Sequence, residues 1–253
     1  MKLLLLLWIT CVVVKAIPGK QNKIVGGTEA SVKEYPEVVS LLKSVWWWYQ
    51  QECGGTILNS RSVLTAAHCV LFKNNSWRIR VGSTYHNSGG FVHNVGQIIY
   101  HGNYNKNTYD YDVAIVRSKT TIDFNQLVKQ GDIAGPSYIV EDFDPVWTVG
   151  WGRTSDGVSF PSGLRQVQVS VVNQDVCRQR YAQAGEIVTD NMVCAGLLDV
   201  GGRGSCEYDG GGPLFHNNVV VGITSWGRGC AQAFYPDVYT KVSRVSPWIQ
   251  ANA

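Results

Sequence analysis

From Ile24 onward, apolar and polar positions alternate in short runs broken by Gly, Asn and Asp. Val38-Val39-Ser40-Leu41-Leu42, Trp77-Arg78-Ile79-Arg80-Val81 and Gln166-Val167-Gln168-Val169-Ser170-Val171 carry strand signals, most clearly a period of two that turns one face to a core. Helical signals are few. Asn173 is a suitable N-cap for a helix running towards Tyr181. Ser246-Pro247-Trp248-Ile249-Gln250 reads as a second helix start, with Ser as cap and Pro just inside. With 27 glycines and 12 tyrosines, the pattern predicts an all-β chain.

The N-terminus follows a different rule. Met1-Lys2 supplies a positive charge, LLLLLWITCVVV is an apolar run too short to span a bilayer, and Val14-Lys15-Ala16 ends in small residues. Residues 1–16 are therefore expected to be a secretory signal, which places the mature chain outside the cell. Cys11 leaves with that segment, so the seven cysteines become six: Cys53, Cys69, Cys177, Cys194, Cys206 and Cys230. An even set in an oxidising compartment predicts three disulfides rather than a metal site.

Charge changes the picture in the same way. The formal net charge is +3, but residues 1–23 hold four lysines and no acids, so their removal leaves 18 basic against 19 acidic residues. A net charge of −1 without a basic patch gives no reason to expect a nucleic-acid partner. No second apolar run reaches spanning length, so no membrane partner is expected. Asn74-Asn75-Ser76 is a glycosylation sequon.

Candidate chemistry comes in four separated pieces. Thr65-Ala66-Ala67-His68-Cys69 sets a histidine beside a cysteine. Asp112-Val113-Ala114-Ile115-Val116 leads an acid into an apolar strand. Cys206-Glu207-Tyr208-Asp209-Gly210-Gly211-Gly212-Pro213 is a glycine-rich loop, and Ser225-Trp226-Gly227 follows it. In this order and spacing, from Ile24 to the C-terminus, the chain resembles the chymotrypsin/trypsin (S1-type) family of serine proteases, nearest to secreted moth-larval members. The resemblance implies two antiparallel six-stranded β-barrels, with a short intermediate helix and a C-terminal helix. Residues 17–23 would be an activation propeptide and 24–253 the protease domain, with the two halves meeting near 125–135. It also implies the pairs Cys53–Cys69, Cys177–Cys194 and Cys206–Cys230.

Acyl transfer in such a site needs a hydroxyl nucleophile, an imidazole to take its proton, and a carboxylate to hold the imidazole's tautomer. His68 and Asp112 match the last two, and Ser225 matches the residue that braces the aspartate. Gly210 stands where the family has its serine. Tyr208 stands where it has an oxyanion-hole glycine, so either a twisted N–H or a ring over the hole is expected. The specificity pocket is altered too: Gly204 replaces a trypsin's pocket aspartate, beside Ser205, while Asp237 sits on the opposite wall with Trp226 and Gly227 nearby. Asp237 is expected to face the pocket and admit a basic or large side chain, although a solvated loop acid is the alternative.

Lys23-Ile24-Val25-Gly26-Gly27 resembles an activation site, cut by a trypsin-like protease after Lys23 so that the Ile24 ammonium can pair with Asp209. No metal or other cofactor is expected, since residues 80–109 contain no Asp or Glu for a calcium loop. Val45-Trp46-Trp47-Trp48-Tyr49 cannot bury every ring and is expected to form a protein-binding rim. From Gly210 and Tyr208, the functional expectation is a secreted, non-catalytic homologue that acts by binding protein or peptide ligands: capturing protease inhibitors, serving as a cofactor to cascade proteases, or recognising a surface in defence or the gut. The alternative is an active secreted endopeptidase of trypsin/chymotrypsin type with broad specificity.

Overall fold

The computed structural model describes residues 25–71, 76–154 and 162–253. The signal and propeptide segments, Lys23, Ile24 and the Asn74 sequon lie outside the described residues.

In chain order the elements are β1 Thr28–Glu29, β2 Val38–Val45, β3 Trp48–Ile57, β4 Ser62–Thr65, α1 Ala67–Val70, β5 Trp77–Val81, β6 Phe91–Tyr100, β7 Ala114–Ser118, β8 Asp132–Ile133, β9 Pro145–Gly150, β10 Arg165–Val172, α2 Gln174–Ala182, β11 Met192–Gly196, β12 Pro213–His216, β13 Val219–Trp226, β14 Asp237–Lys241 and α3 Val242–Asn252. Strands β2-β3-β4-β7-β6-β5 close the first barrel. The second runs β9-β10-β11-β14-β13-β12 and back to β9, with β1 and β8 added outside. Both barrels are antiparallel, and their closure leaves few free edges to aggregate.

The alternating runs become barrel walls. In β5, Trp77, Ile79 and Val81 point inward while Arg78 and Arg80 face partly to solvent. In β10, Val167, Val169 and Val171 do the same. Three disulfides, Cys53–Cys69, Cys177–Cys194 and Cys206–Cys230, tie residues 16, 17 and 24 positions apart. Closing loops of that size contributes about 3 kcal/mol each by restricting the unfolded chain.

The helices show where local rules hold and where packing overrides them. Asn173 caps α2, its side-chain oxygen accepting from the N–H groups of Asp175 and Val176, both at 3.1 Å. The C-terminal helix does not start at Ser246. It starts at Val242, directly after β14, and carries Pro247 inside it. Val242, Val245, Ser246 and Ile249 form the buried face that packing favours. Proline cannot donate to the carbonyl four residues back, that of Ser243. The Ser246 hydroxyl donates to that carbonyl instead, at 3.3 Å.

The tryptophan run forms the tip of the β2–β3 hairpin. Trp46 takes a left-handed backbone (φ 55°), and Trp46 and Trp47 are 86% and 84% exposed. Tyr49 is partly covered, with the Arg78 guanidinium 3.9 Å from its ring centre.

Candidate active site

The first barrel contributes His68, on the short α1 turn, and Asp112, just ahead of β7. The Cys53–Cys69 bond anchors that turn to β3. Asp112 is fully buried, and its four hydrogen bonds account for its position. The His68 backbone N–H donates to Oδ1 at 2.8 Å, and Oδ2 lies 2.7 Å from His68 Nδ1. The Ser225 hydroxyl donates to Oδ2 at 2.6 Å, and the Thr240 hydroxyl donates to the Asp112 carbonyl at 2.8 Å. Burial disfavours the imidazolium, but the charge of Asp112 and its hydrogen bond outweigh burial, so the His68 pKa is raised. Nδ1 is thereby committed to Asp112, and Nε2 is directed into the cleft.

The second barrel brings residue 210 to that nitrogen. The backbones meet closely: the Gly54 N–H donates to the Gly210 carbonyl at 2.8 Å. A Cβ on Gly210 would lie 2.7 Å from His68 Nε2 and 3.1 Å from Cε1. The imidazole thus occupies part of the space a side chain at 210 would need. Tyr208 neither relaxes nor escapes. Its backbone stays in the left-handed region (φ 74°), at a cost of about 1–2 kcal/mol for a residue with a Cβ. Gln51 Nε2 donates to its carbonyl at 2.8 Å, and its ring lines the cleft 5.7 Å from the Arg153 guanidinium. Arg153 in turn pairs with Glu207 at 2.8 Å.

Beside His68 opens a cavity of about 300 Å³, walled by Ser205, Trp226, Gly227 and Asp237 and bounded by the Cys206–Cys230 bond. Asp237 is buried in this wall rather than solvated on a loop. Its Oδ2 accepts from the Ser205 N–H at 2.6 Å and from the Ser205 hydroxyl at 2.9 Å. A Cβ on Gly204 would come within 2.5 Å of the same oxygen. The acid at 237 and a side chain at 204 are mutually exclusive, which is why the pocket carries its carboxylate on one wall.

Asp209 is also buried, with Oδ1 accepting from the Gly152 N–H at 2.7 Å and Oδ2 from the Cys206 N–H at 3.0 Å. Gly150 and Gly152 leave the room it occupies, since a Cβ on either would collide with its carboxylate. Among the described residues no ion pair reaches Asp209 or Asp237. Burial accordingly pushes each carboxyl up to about 7. Val25 is bridged to Gly204. For metal binding, the donor atoms of Cys53, His68 and Cys69 lie within 4.8 Å of one another, but both sulfurs are used in a disulfide and are not thiolate ligands.

Sequence reasoning missed Thr240, Gln51 and Gly152. Each reaches its partner from a distant part of the chain, and none sits in a motif. Tyr109 was missed too; its ring meets the His68 ring edge-on at 5.9 Å and stacks on Trp226 at 6.3 Å.

Comparison with known proteins bears on what the site does. The family profile described as Trypsin matches residues 24–249. Trypsin CFT-1 of Choristoneura fumiferana is 52% identical over 245 residues, covering 95% of this chain and 94% of that protein. Trypsin, alkaline B, of Manduca sexta is 49% identical over 242 residues, again 95% and 94%. Achelase-1 of Lonomia achelous is 45% identical over 235 residues, 91% of this chain and all of that protein. The expectation of a non-catalytic homologue that acts by binding is overturned here. It rested on two residues, whereas similarity to proteins named as trypsins extends over almost the whole chain.

Proposed function

Because this chain belongs to the trypsin family of serine proteases, we propose that it is a secreted endopeptidase of the trypsin/chymotrypsin type. It cleaves peptides whose basic or large side chain enters the pocket walled by Asp237. The observation that carries this reading is the His68–Asp112–Ser225 relay, hydrogen-bonded throughout, with Nε2 open to a cleft beside that pocket.

Residue 210 brings no hydroxyl to Nε2, so the nucleophile this arrangement supports is water. Nε2 takes a proton as the water oxygen attacks the scissile carbonyl carbon, and returns it to the leaving amine as the peptide bond breaks. Asp112 holds the tautomer and stabilises the imidazolium. In sites of this kind that lack a triad member, oxyanion stabilisation and substrate binding still leave about 10³–10⁴-fold over water, and Tyr208 lowers the first of these here. The same reading takes residues 1–16 as the secretory signal and the bond after Lys23 as the cut made by an activating protease. The freed Ile24 ammonium would give a cation to buried Asp209, which no ion pair reaches among the described residues; the bridge from Val25 to Gly204 supports this.

The test is single-turnover cleavage of a fluorogenic peptide ester with enzyme in excess, comparing the chain with its His68→Ala variant. Cleavage lost on substitution supports the reading, and equal rates count against it.

A further inference from the structure

The pocket acid differs from a freely hydrated carboxylate in a way that has a consequence for specificity. Asp237 is enclosed, and one oxygen, Oδ2, is committed to both donors of Ser205. Its other oxygen, Oδ1, faces Gly227, 3.7 Å from where a Cβ would stand on that residue of the pocket wall. That oxygen is an acceptor when the acid is ionised and the natural seat of the proton when it is not. Resting on the pocket reading above, we propose that the protonation state of Asp237 selects the class of side chain the pocket holds: cationic when ionised, neutral and hydrogen-bond-accepting when protonated.

The surroundings allow the switch near neutrality. Burial raises the acid to about 7, the Ser205 donors and the Tyr239 hydroxyl oppose the rise, and the charge of Asp209 reinforces it. The remaining titratable groups facing Asp237 are Tyr239, on its own strand, and Tyr181, from α2. Burial raises both phenols, so they stay neutral throughout. Tyr181 donates to the Pro236 carbonyl at 2.7 Å, and Arg228 and Glu186 lie beyond it, paired with each other at 3.1 Å. Gly204, Gly227 and Ala231 supply the rest of the local wall without charge. Among the described residues, no lysine or arginine forms an ion pair that would fix Asp237 in its ionised form.

The experiment measures binding, so it does not depend on turnover. Calorimetric titration of the purified protein with benzamidine, cationic from pH 5 to pH 9, is compared with titration by neutral benzamide, which has the same outline and a carbonyl acceptor. Benzamidine affinity is expected to fall about tenfold per unit below pH 7, and roughly 100-fold between pH 9 and pH 5. Benzamide should bind more tightly at the acid end. Asp237→Asn, which keeps an acceptor for Ser205, should abolish the benzamidine dependence. Ser205→Ala removes a bond that favours the ionised form and should move the midpoint to higher pH. A pH-independent benzamidine affinity would overturn the switch while leaving the pocket reading intact. Dependence retained in Asp237→Asn would transfer the titration to Asp209 or to His68, which lines the same cavity, and also overturn it. No benzamidine binding at pH 9 would remove the pocket reading itself.

Discussion

Placing a serine at position 210 is the most informative single change. The structure sets both its gain and its obstacle. A Cβ there lies 2.7 Å from His68 Nε2, well inside ordinary contact, so the imidazole must withdraw to make room for it. Its 2.7 Å bond to Asp112 restrains that movement but leaves the ring hinged about Nδ1. Once moved, Nε2 is a hydrogen-bond partner for the new hydroxyl. Supplying the missing nucleophile is worth up to about a millionfold in kcat, or roughly 8 kcal/mol of barrier. Tyr208 limits that gain by whatever it takes from oxyanion stabilisation, about 10²–10³-fold. Gly210→Ser alone should therefore raise kcat/KM by about 10³–10⁴. Gly210→Ser with Tyr208→Gly should approach the full factor. The assay is steady-state hydrolysis of fluorogenic peptides with lysine, arginine or phenylalanine before the scissile bond, with burst kinetics to detect an acyl-enzyme. A double variant that folds, keeps the cleft, and yet hydrolyses no faster than the parent would refute the placement of residue 210 at the reacting centre.

In that double-variant background, Asp112→Asn should lower kcat by about four orders of magnitude with little change in KM, because the amide holds the wrong imidazole tautomer. Tyr208→Gly by itself should raise thermal stability by about 1 kcal/mol, read as a higher Tm, since it releases a left-handed backbone strained by a Cβ. The buried acids give a pH signature. Asp209 and Asp237 ionise near 3.8 when unfolded and near 7 when folded, so the native state holds the extra protons between those values. Their contribution to stability is therefore undiminished below about pH 4 and falls as pH rises towards 7, by about 4 kcal/mol each at most. Urea titrations should show this slope in the parent chain, a weaker one in Asp209→Asn, and a weaker one after cleavage at Lys23 if the new ammonium pairs with Asp209.

Much of the architecture was legible because local pattern and global fold agree. The alternation in Trp77–Val81 and Gln166–Val171 became barrel wall, and Asn173 became a cap with its donors in reach. The start of α3 was not legible, because Pro247 argues for a boundary that the buried stripe from Val242 to Ile249 overrides. In the site, motifs located His68, Asp112 and the loop at 206–213. They could not reveal that Gly204 and Asp237 compete for one volume, or that Thr240 and Gln51 serve the site from 128 and 157 residues away. The functional expectation failed for a related reason. Gly210 and Tyr208 are two positions in a chain whose relay, pocket and disulfides are otherwise in place.

By the function proposed above, His68 drives peptide-bond hydrolysis in the native chain. The most direct test is mass-spectrometric detection of cleaved peptides under excess enzyme, in heavy-oxygen water, with the parent and His68→Ala side by side. One labelled oxygen is expected in the new carboxyl group of each amino-terminal product, and cleavage should largely disappear in the variant. Products formed equally by both proteins, or by neither, would contradict it.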